Sequence, residues 1–323
     1  MRSLQISIPG KTFLAGEYLA LKGLGALVFA TNPRFKTQVR ELPSGSVPTA
    51  SPFHQLSPAG VFWQEHAEFF GRYQIEFTPL PGLGGWGAST AEFISLHSLW
   101  QMRDSLWVEQ ERFFDLHLML NDYRRVSGKK ALGFLPSGAD LVAQVRGGLT
   151  YFDGQNGKIQ TFSWPFKNLK MKLIATGHKL ATHDHLAQLK DFSEDGLVKA
   201  VSQCHEGLRT VDQDQFINGI KLMAAGLLEL GFVASETQRI LREFELPGVL
   251  VTKGCGALGA DVIAIFYSQE NVGSSIEAKA YELGLGILAT EGSIGEGILI
   301  SKVKDLASPK SFENAPSTKE IRS

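Results

Sequence analysis

The stretch that most constrains this chain is Pro81-Gly82-Leu83-Gly84-Gly85-Trp86-Gly87-Ala88-Ser89-Thr90-Ala91-Glu92. A strand signal, Gln74-Ile75-Glu76-Phe77, runs into it, and Phe93, Leu96 and Trp100 follow on one helical face. A strand, a glycine-rich turn and a helix start therefore succeed one another. Gly85 and Gly87 let the backbone turn its N–H groups inward, and Ser89-Thr90-Ala91-Glu92 fits an S-x-x-E capping box. Loop amides and a helix N-terminus make an anion site that needs no net positive charge. Taken alone, the stretch reads equally as a capped turn. Trp86 is the residue out of place.

Local anion binding matters because the chain as a whole offers none: its formal charge is −1, so no nucleic-acid or membrane partner is expected. Hydrophobic residues at 43% and charged residues at 20% describe a globular chain able to bury a core. Cys204 and Cys255 have no zinc spacing and form no disulfide framework, which fits a cytoplasmic protein. The start, Met-Arg-Ser-Leu-Gln-Ile-Ser-Ile-Pro, alternates as a signal peptide does not.

Leu4, Ile6 and Ile8 read as a strand stopping at Pro9-Gly10, with further short strands over 26–30 and 37–40. Residues 42–60 read as a loop, and 104–127 as a second helix. Past a boundary near 165, a strand over 171–175 precedes a helical region over about 184–245, with Phe216, Ile217, Ile220 and Leu222 to Leu230 as its core face. Strands follow near 248–252 and 262–267. Without regular βαβ alternation the class is α+β. Phe62, Trp63, Phe69 and Phe70 read as core, Cys255 as a buried small residue, and His183-Asp184-His185 as a polar helix start.

Three further motifs flank the glycine loop. In Pro9-Gly10-Lys11-Thr12-Phe13-Leu14-Ala15-Gly16-Glu17-Tyr18, Lys11 can reach into a cleft and Glu17 could pair with it, or both form a solvated pair. In Pro136-Ser137-Gly138-Ala139-Asp140, the aspartate could orient or deprotonate a hydroxyl, or simply cap a helix. Lys253-Gly254-Cys255-Gly256-Ala257-Leu258-Gly259-Ala260-Asp261 leads into a strand.

In order and spacing, these motifs resemble those of the GHMP kinases, which include galactose, homoserine, mevalonate and phosphomevalonate kinases; the resemblance spans residues 4 to 268. It implies an α+β, two-domain fold: a ribosomal protein S5 domain 2-like N-terminal domain over 1–165, a ferredoxin-like C-terminal domain over 166–307, and a polar tail over 308–323. It implies ATP and Mg²⁺ as cofactors, with Gly85, Gly87, Ala88, Ser89 and Thr90 on the triphosphate and Ser89 also on the metal. Lys11 and Asp140 become catalytic, and Glu17, Tyr18, Ser137, Gly138, Gly256 and Ala257 line the acceptor. The implied partner is a small molecule, bound by a monomer or homodimer.

The departures are Trp86 for leucine, Ala88 for serine, and Leu258 and Ala260 for glycines. Trp86 is expected to be apolar support, replaceable by leucine with a few-fold change in ATP affinity. Lys129 and Lys130 stand where mevalonate kinases carry a metal-binding glutamate, and with Arg146 they could hold a phosphorylated acceptor. Gly16-Glu17-Tyr18 and Gly259-Ala260-Asp261 resemble phosphomevalonate kinase more than mevalonate kinase, so 5-phosphomevalonate is the expected acceptor, with mevalonate as the alternative. A catalytically weak member acting as a nucleotide- or metabolite-binding regulator is the other reading.

Overall fold

In strand β1 (Ser3–Ala15), Leu4, Ile6 and Ile8 are buried while Ser3, Gln5 and Ser7 stay partly exposed, the period-two pattern of a half-buried strand. The computed structural model describes residues 2–80, 85–107, 114–128, 135–177 and 192–302. β1 does not stop at Pro9-Gly10 but runs on to Ala15, antiparallel to β2 (Ala26–Glu41). The register shifts there, from Pro9↔Arg34 to Gly10↔Thr31, leaving Asn32 and Pro33 as extra residues on β2. A bulge thus absorbs a proline that cannot donate to the ladder. For the same reason β2 is one strand and not the two short ones expected.

β2 organises the first sheet. Its start pairs with β4 (Leu149–Asp153) and its end with β3 (Tyr73–Thr78), while β5 (Lys158–Phe162) extends β4. β10 (Leu299–Lys302) returns to the outer edge of β1. The order is β10-β1-β2-β4-β5, with β3 also on β2. Helices α1 (Pro58–Glu65), α2 (Ala67–Phe70), α3 (Ala88–Gln101), α4 (Leu116–Gly128) and α5 (Ala139–Arg146) gather beside this sheet around Phe62, Trp63, Phe69, Phe70 and Phe93, all buried as expected. The helix expected from 104 begins at Leu116 among the described residues, 108–113 lying outside them.

His97, inside this helical layer, is fully buried; its Nε2 lies 3.0 Å from Asp122 Oδ2 and its Nδ1 3.1 Å from Gln101 Nε2. Burial pushes its pKa below the ordinary value, against the pull of Asp122, so the folded protein holds it neutral. As pH falls below about 6.5, the unfolded chain takes up a proton that the folded protein resists, and stability declines by at most about 1.4 kcal/mol per pH unit from this group. The urea midpoint should therefore fall between pH 7.5 and pH 5.5. A fall of the same size in His97→Gln would assign it to other groups.

The second sheet is antiparallel, in the order β7 (Val249–Cys255), β8 (Val262–Tyr267), β6 (Lys170–Ala175), β9 (Ile287–Thr290). β8 is buried at every position because helices cover both faces. Paired helices α6 (Asp195–Thr210) and α7 (Gln213–Glu229) pack against β7, β1 and β2, so they lie between the two sheets. Helices α8 (Ser235–Glu243) and α9 (Glu270–Glu282) close the far side around Ile240, Phe244, Ile263, Ile265 and Ile276. The expected helical region thus resolves into three helices from residue 195, with 178–191, and so His183-Asp184-His185, outside the described residues. Leu222 and Leu228, expected in the core face, are exposed on α7. Among the described residues no helix is long and apolar enough to cross a membrane. The α+β class read from the sequence holds.

Candidate active site

α3 starts at Ala88, one residue before the expected capping box, and its N-cap is Gly87 at φ 94° with no side-chain cap. Ser89 is therefore already inside the first turn, and its side chain is exposed instead of bonding the Glu92 amide. Only glycine takes that φ without strain, and a Cβ there would also stand 2.8 Å from Lys11 Cγ and 2.9 Å from Gln144 Nε2. The amides of Ala88, Ser89 and Thr90 are the first three of the helix and have no intrahelical acceptor. They lie at the positive end of a helix dipole. Pro81 to Gly84 lie outside the described residues.

α5 brings the second group. Gly138, at φ 80°, caps it and packs against Leu120, while Asp140 sits in the first turn. Asp140 Oδ2 accepts from Thr90 Oγ1 at 2.7 Å, and Oδ1 accepts from the Leu141 amide at 3.0 Å. Tyr123, whose hydroxyl lies 3.3 Å from Thr90 Oγ1, has its phenol pKa pushed up by burial and by the charge of Asp140. Ser137 is occupied locally: its Oγ accepts from the Ala139 amide and its carbonyl from Arg124. Arg146, at the far end of α5, is exposed; Lys129 and Lys130 lie outside the described residues.

Lys11 reaches this cluster from β1, its stem against Gly87 and its Nζ 5.2 Å from the Phe13 ring centroid. The pair expected between Lys11 and Glu17 is not formed. Glu17 Oε1 instead accepts from Lys253 Nζ at 2.6 Å, with both side chains buried. A buried carboxylate needs a buried cation, and β7 supplies one. Tyr18 is also turned to the second sheet, its hydroxyl accepting from the Leu258 amide at 2.9 Å.

The late glycine motif forms a 3-10 turn, Ala257–Gly259. Leu258 takes the left-handed conformation (φ 52°) that a glycine would take freely. A Cβ on Gly85 would stand 2.0 Å from Asp261 Oδ2, and one on Gly256 2.6 Å from it. One carboxylate thus lies against both glycine turns, which explains why neither position carries a side chain. All four motifs meet in one region. Sequence reasoning missed Gln144, fully buried on α5, whose amide donates to Pro9 O at 2.8 Å and Gly87 O at 3.3 Å. Its signal was a polar residue within the run Leu141-Val142-Ala143 to Val145. A hollow of about 410 Å³ lies apart from this cluster, lined by His66, Phe69, Arg72, Trp100 and Arg103 among others.

Mg²⁺ keeps most of its octahedral shell as phosphate oxygens and water, and needs one or two protein oxygens. The exposed Ser89 hydroxyl, in a first turn whose amides have no intrahelical acceptor, offers one such oxygen. No group of three His, Cys, Asp or Glu among the described residues builds an all-protein cage.

No family model matches the chain, and no curated protein matches it. Solved structures do. A Lin0012 protein from Listeria innocua is similar over 93% of this chain and 99% of its own, at 17% identity and TM-score 0.70. Phosphomevalonate kinase of Streptococcus pneumoniae, in complex with phosphomevalonate and AMPPNP, is similar over 88% and 98%, at 16% identity and TM-score 0.68. Mevalonate kinase of L. major, with R-mevalonate, is similar over 94% and 96%, at 18% identity and TM-score 0.64. A homoserine kinase and a galactokinase share the architecture.

Proposed function

We propose that this chain, whose fold is that of the GHMP kinases, is itself a kinase of that family, transferring the terminal phosphoryl group of ATP to a small molecule. The observation that carries the reading is the hydrogen bond from Thr90 to Asp140. It joins the open helix start to the carboxylate, with Lys11 packed on the same loop through Gly87. Phosphoryl transfer asks for positioning and charge neutralisation more than for covalent chemistry.

In this reading the amides of Ala88, Ser89 and Thr90 hold phosphate oxygens, and Gly85 and Gly87 allow the close approach. Ser89 would hold Mg²⁺, which when bound neutralises charge on the phosphates. Lys11 would neutralise the transferred group and Asp140 would orient or deprotonate the acceptor. Gly138 and Ser137 shape the turn that presents Asp140, while Gly256 and Ala257 bring the second sheet to the loop. In this reading Glu17 and Tyr18, through their pairings with Lys253 and Leu258, tie the N-terminal motif to the second sheet beside the acceptor.

For the acceptor we propose 5-phosphomevalonate, with mevalonate second, on the motif resemblance of Gly16-Glu17-Tyr18 and Gly259-Ala260-Asp261. The fold alone does not select among the acceptors of its structural neighbours. A coupled ADP-release assay offering both compounds, with galactose and homoserine as controls, decides. Turnover confined to a control would reject the assignment. Ser89→Ala should raise the KM for Mg·ATP about tenfold, the size of one hydrogen bond or metal contact, with little change in the unfolding midpoint because the hydroxyl is exposed. An unchanged KM would remove Ser89 from the site.

A further inference from the structure

We propose that Trp86 is a positioning residue: its indole locks the glycine loop to the strand carrying Lys11, so that loop and lysine move as one unit. Its consequence for turnover rests on the kinase reading, whereas the lock can be measured without it.

Trp86 is 1% exposed. A Cβ on Gly10 would stand 1.6 Å from its Nε1 and 2.2 Å from its Cε2, so the pyrrole ring rests directly on the Gly10 backbone. Glycine inside a strand weakens it and marks a site of close approach; here the approaching group is this indole. The indole N–H donates to Pro33 O at 3.2 Å, and Pro33 lies on the bulge opposite Gly10. That bond fixes the direction of the ring as well as its volume. The Trp86 carbonyl in turn accepts from the Lys11 amide at 2.9 Å. Gln144 adds a second tie, from Pro9 O to Gly87 O.

Leucine could fill part of the space but would leave Pro33 O without its donor and the Gly10 backbone uncovered. Trp86→Leu should therefore cost more than the few-fold change expected of an apolar support. Lys11 follows Gly10 directly, so a shift of the ring is passed to the lysine through one peptide unit. Displacements of about 1 Å can cost about a hundredfold in rate.

The test uses Trp86→Leu, Trp86→Phe, Gly10→Ala and the double variant Gly10→Ala/Trp86→Leu, with Phe70→Leu as a core control away from the loop. The unfolding midpoint of each variant is measured first, and amide exchange at Lys11, kcat and KM for ATP are then measured well below every midpoint. Trp86→Leu should speed Lys11 exchange and lower kcat, each by tenfold or more, and Gly10→Ala should do the same. The double variant should regain part of both losses, because removing the ring makes room for the new methyl. Trp86→Phe keeps a ring but no N–H and should fall between; it carries the test should Trp86→Leu prove too unstable to purify. Phe70→Leu should lower the midpoint and leave Lys11 exchange and kcat alone. A lower midpoint in Trp86→Leu or Trp86→Phe with Lys11 exchange unchanged, or strictly additive losses in the double variant, overturns the lock. A wild type that turns over no acceptor overturns the kinase reading, while exchange and rescue still decide the lock.

Discussion

Asp140→Asn should reduce turnover of a hydroxyl acceptor by about 10² to 10⁴, the range that a positioned general base contributes. The substitution is close to isosteric, and the surroundings tolerate it. The Leu141 amide donates to Oδ1, which an asparagine oxygen replaces. The Thr90 hydroxyl now donates to Oδ2 and can rotate to accept from an amide NH2. Folding and ATP binding should therefore survive, and the loss should fall on kcat with the KM for ATP within a few-fold. The acceptor changes the size of the effect. A phosphate monoester is already largely ionised at neutral pH, so transfer to 5-phosphomevalonate needs orientation more than deprotonation, and the loss there should stay within about tenfold of wild type. Comparing the two acceptors in one variant separates a base from an orienting group. Wild-type kcat on every acceptor would remove Asp140 from the chemistry.

Much of this site was legible in the sequence because its chemistry is local. Gly87 needs a positive φ, Asp140 belongs to a turn and helix start, and both leave signatures within a few residues. Alternation likewise marked β1 up to Ile8. What stayed hidden depends on partners distant in the chain. Pro9-Gly10 looks like a stop until Asn32 and Pro33 bulge opposite it and the strand continues. The capping box was a plausible pattern whose cap, Ser89, lies two residues past the observed one, because Gly87 already served as cap. Trp86 looked like a tolerated oddity since its counterpart, Gly10, lies in another motif. The sequence offered Lys11, in the same motif, as a partner for Glu17, while its partner lies 236 residues on.

That partnership carries the largest stability effect expected in the molecule. Lys253 is 1% exposed, and its amine donates to Glu17 Oε1 at 2.6 Å and to Gly254 O at 2.8 Å. Burial works against the ammonium, yet the neighbouring Cys255 and Glu17 hold its pKa above the ordinary lysine value. The Cys255 thiol is itself pushed up to about 11 by burial, so at neutral pH it is uncharged and Glu17 supplies the neutralising charge. Because the folded pKa is raised, the contribution is complete through neutral pH and is lost only as pH rises through the lysine range. Glu17→Leu strands a buried cation and should cost about 3–5 kcal/mol, as should Lys253→Met, which strands the carboxylate. Glu17→Leu with Lys253→Met removes both charges together and should recover most of the loss, since a buried pair replaced by apolar groups is often neutral or stabilising. Urea unfolding of the three variants measures this, with the pair joining the end of β1 to β7 as the contact under test. A double variant as unstable as the sum of its singles would show that Glu17 and Lys253 stabilise the fold independently and that the cross-sheet pair is not what holds β7 to β1.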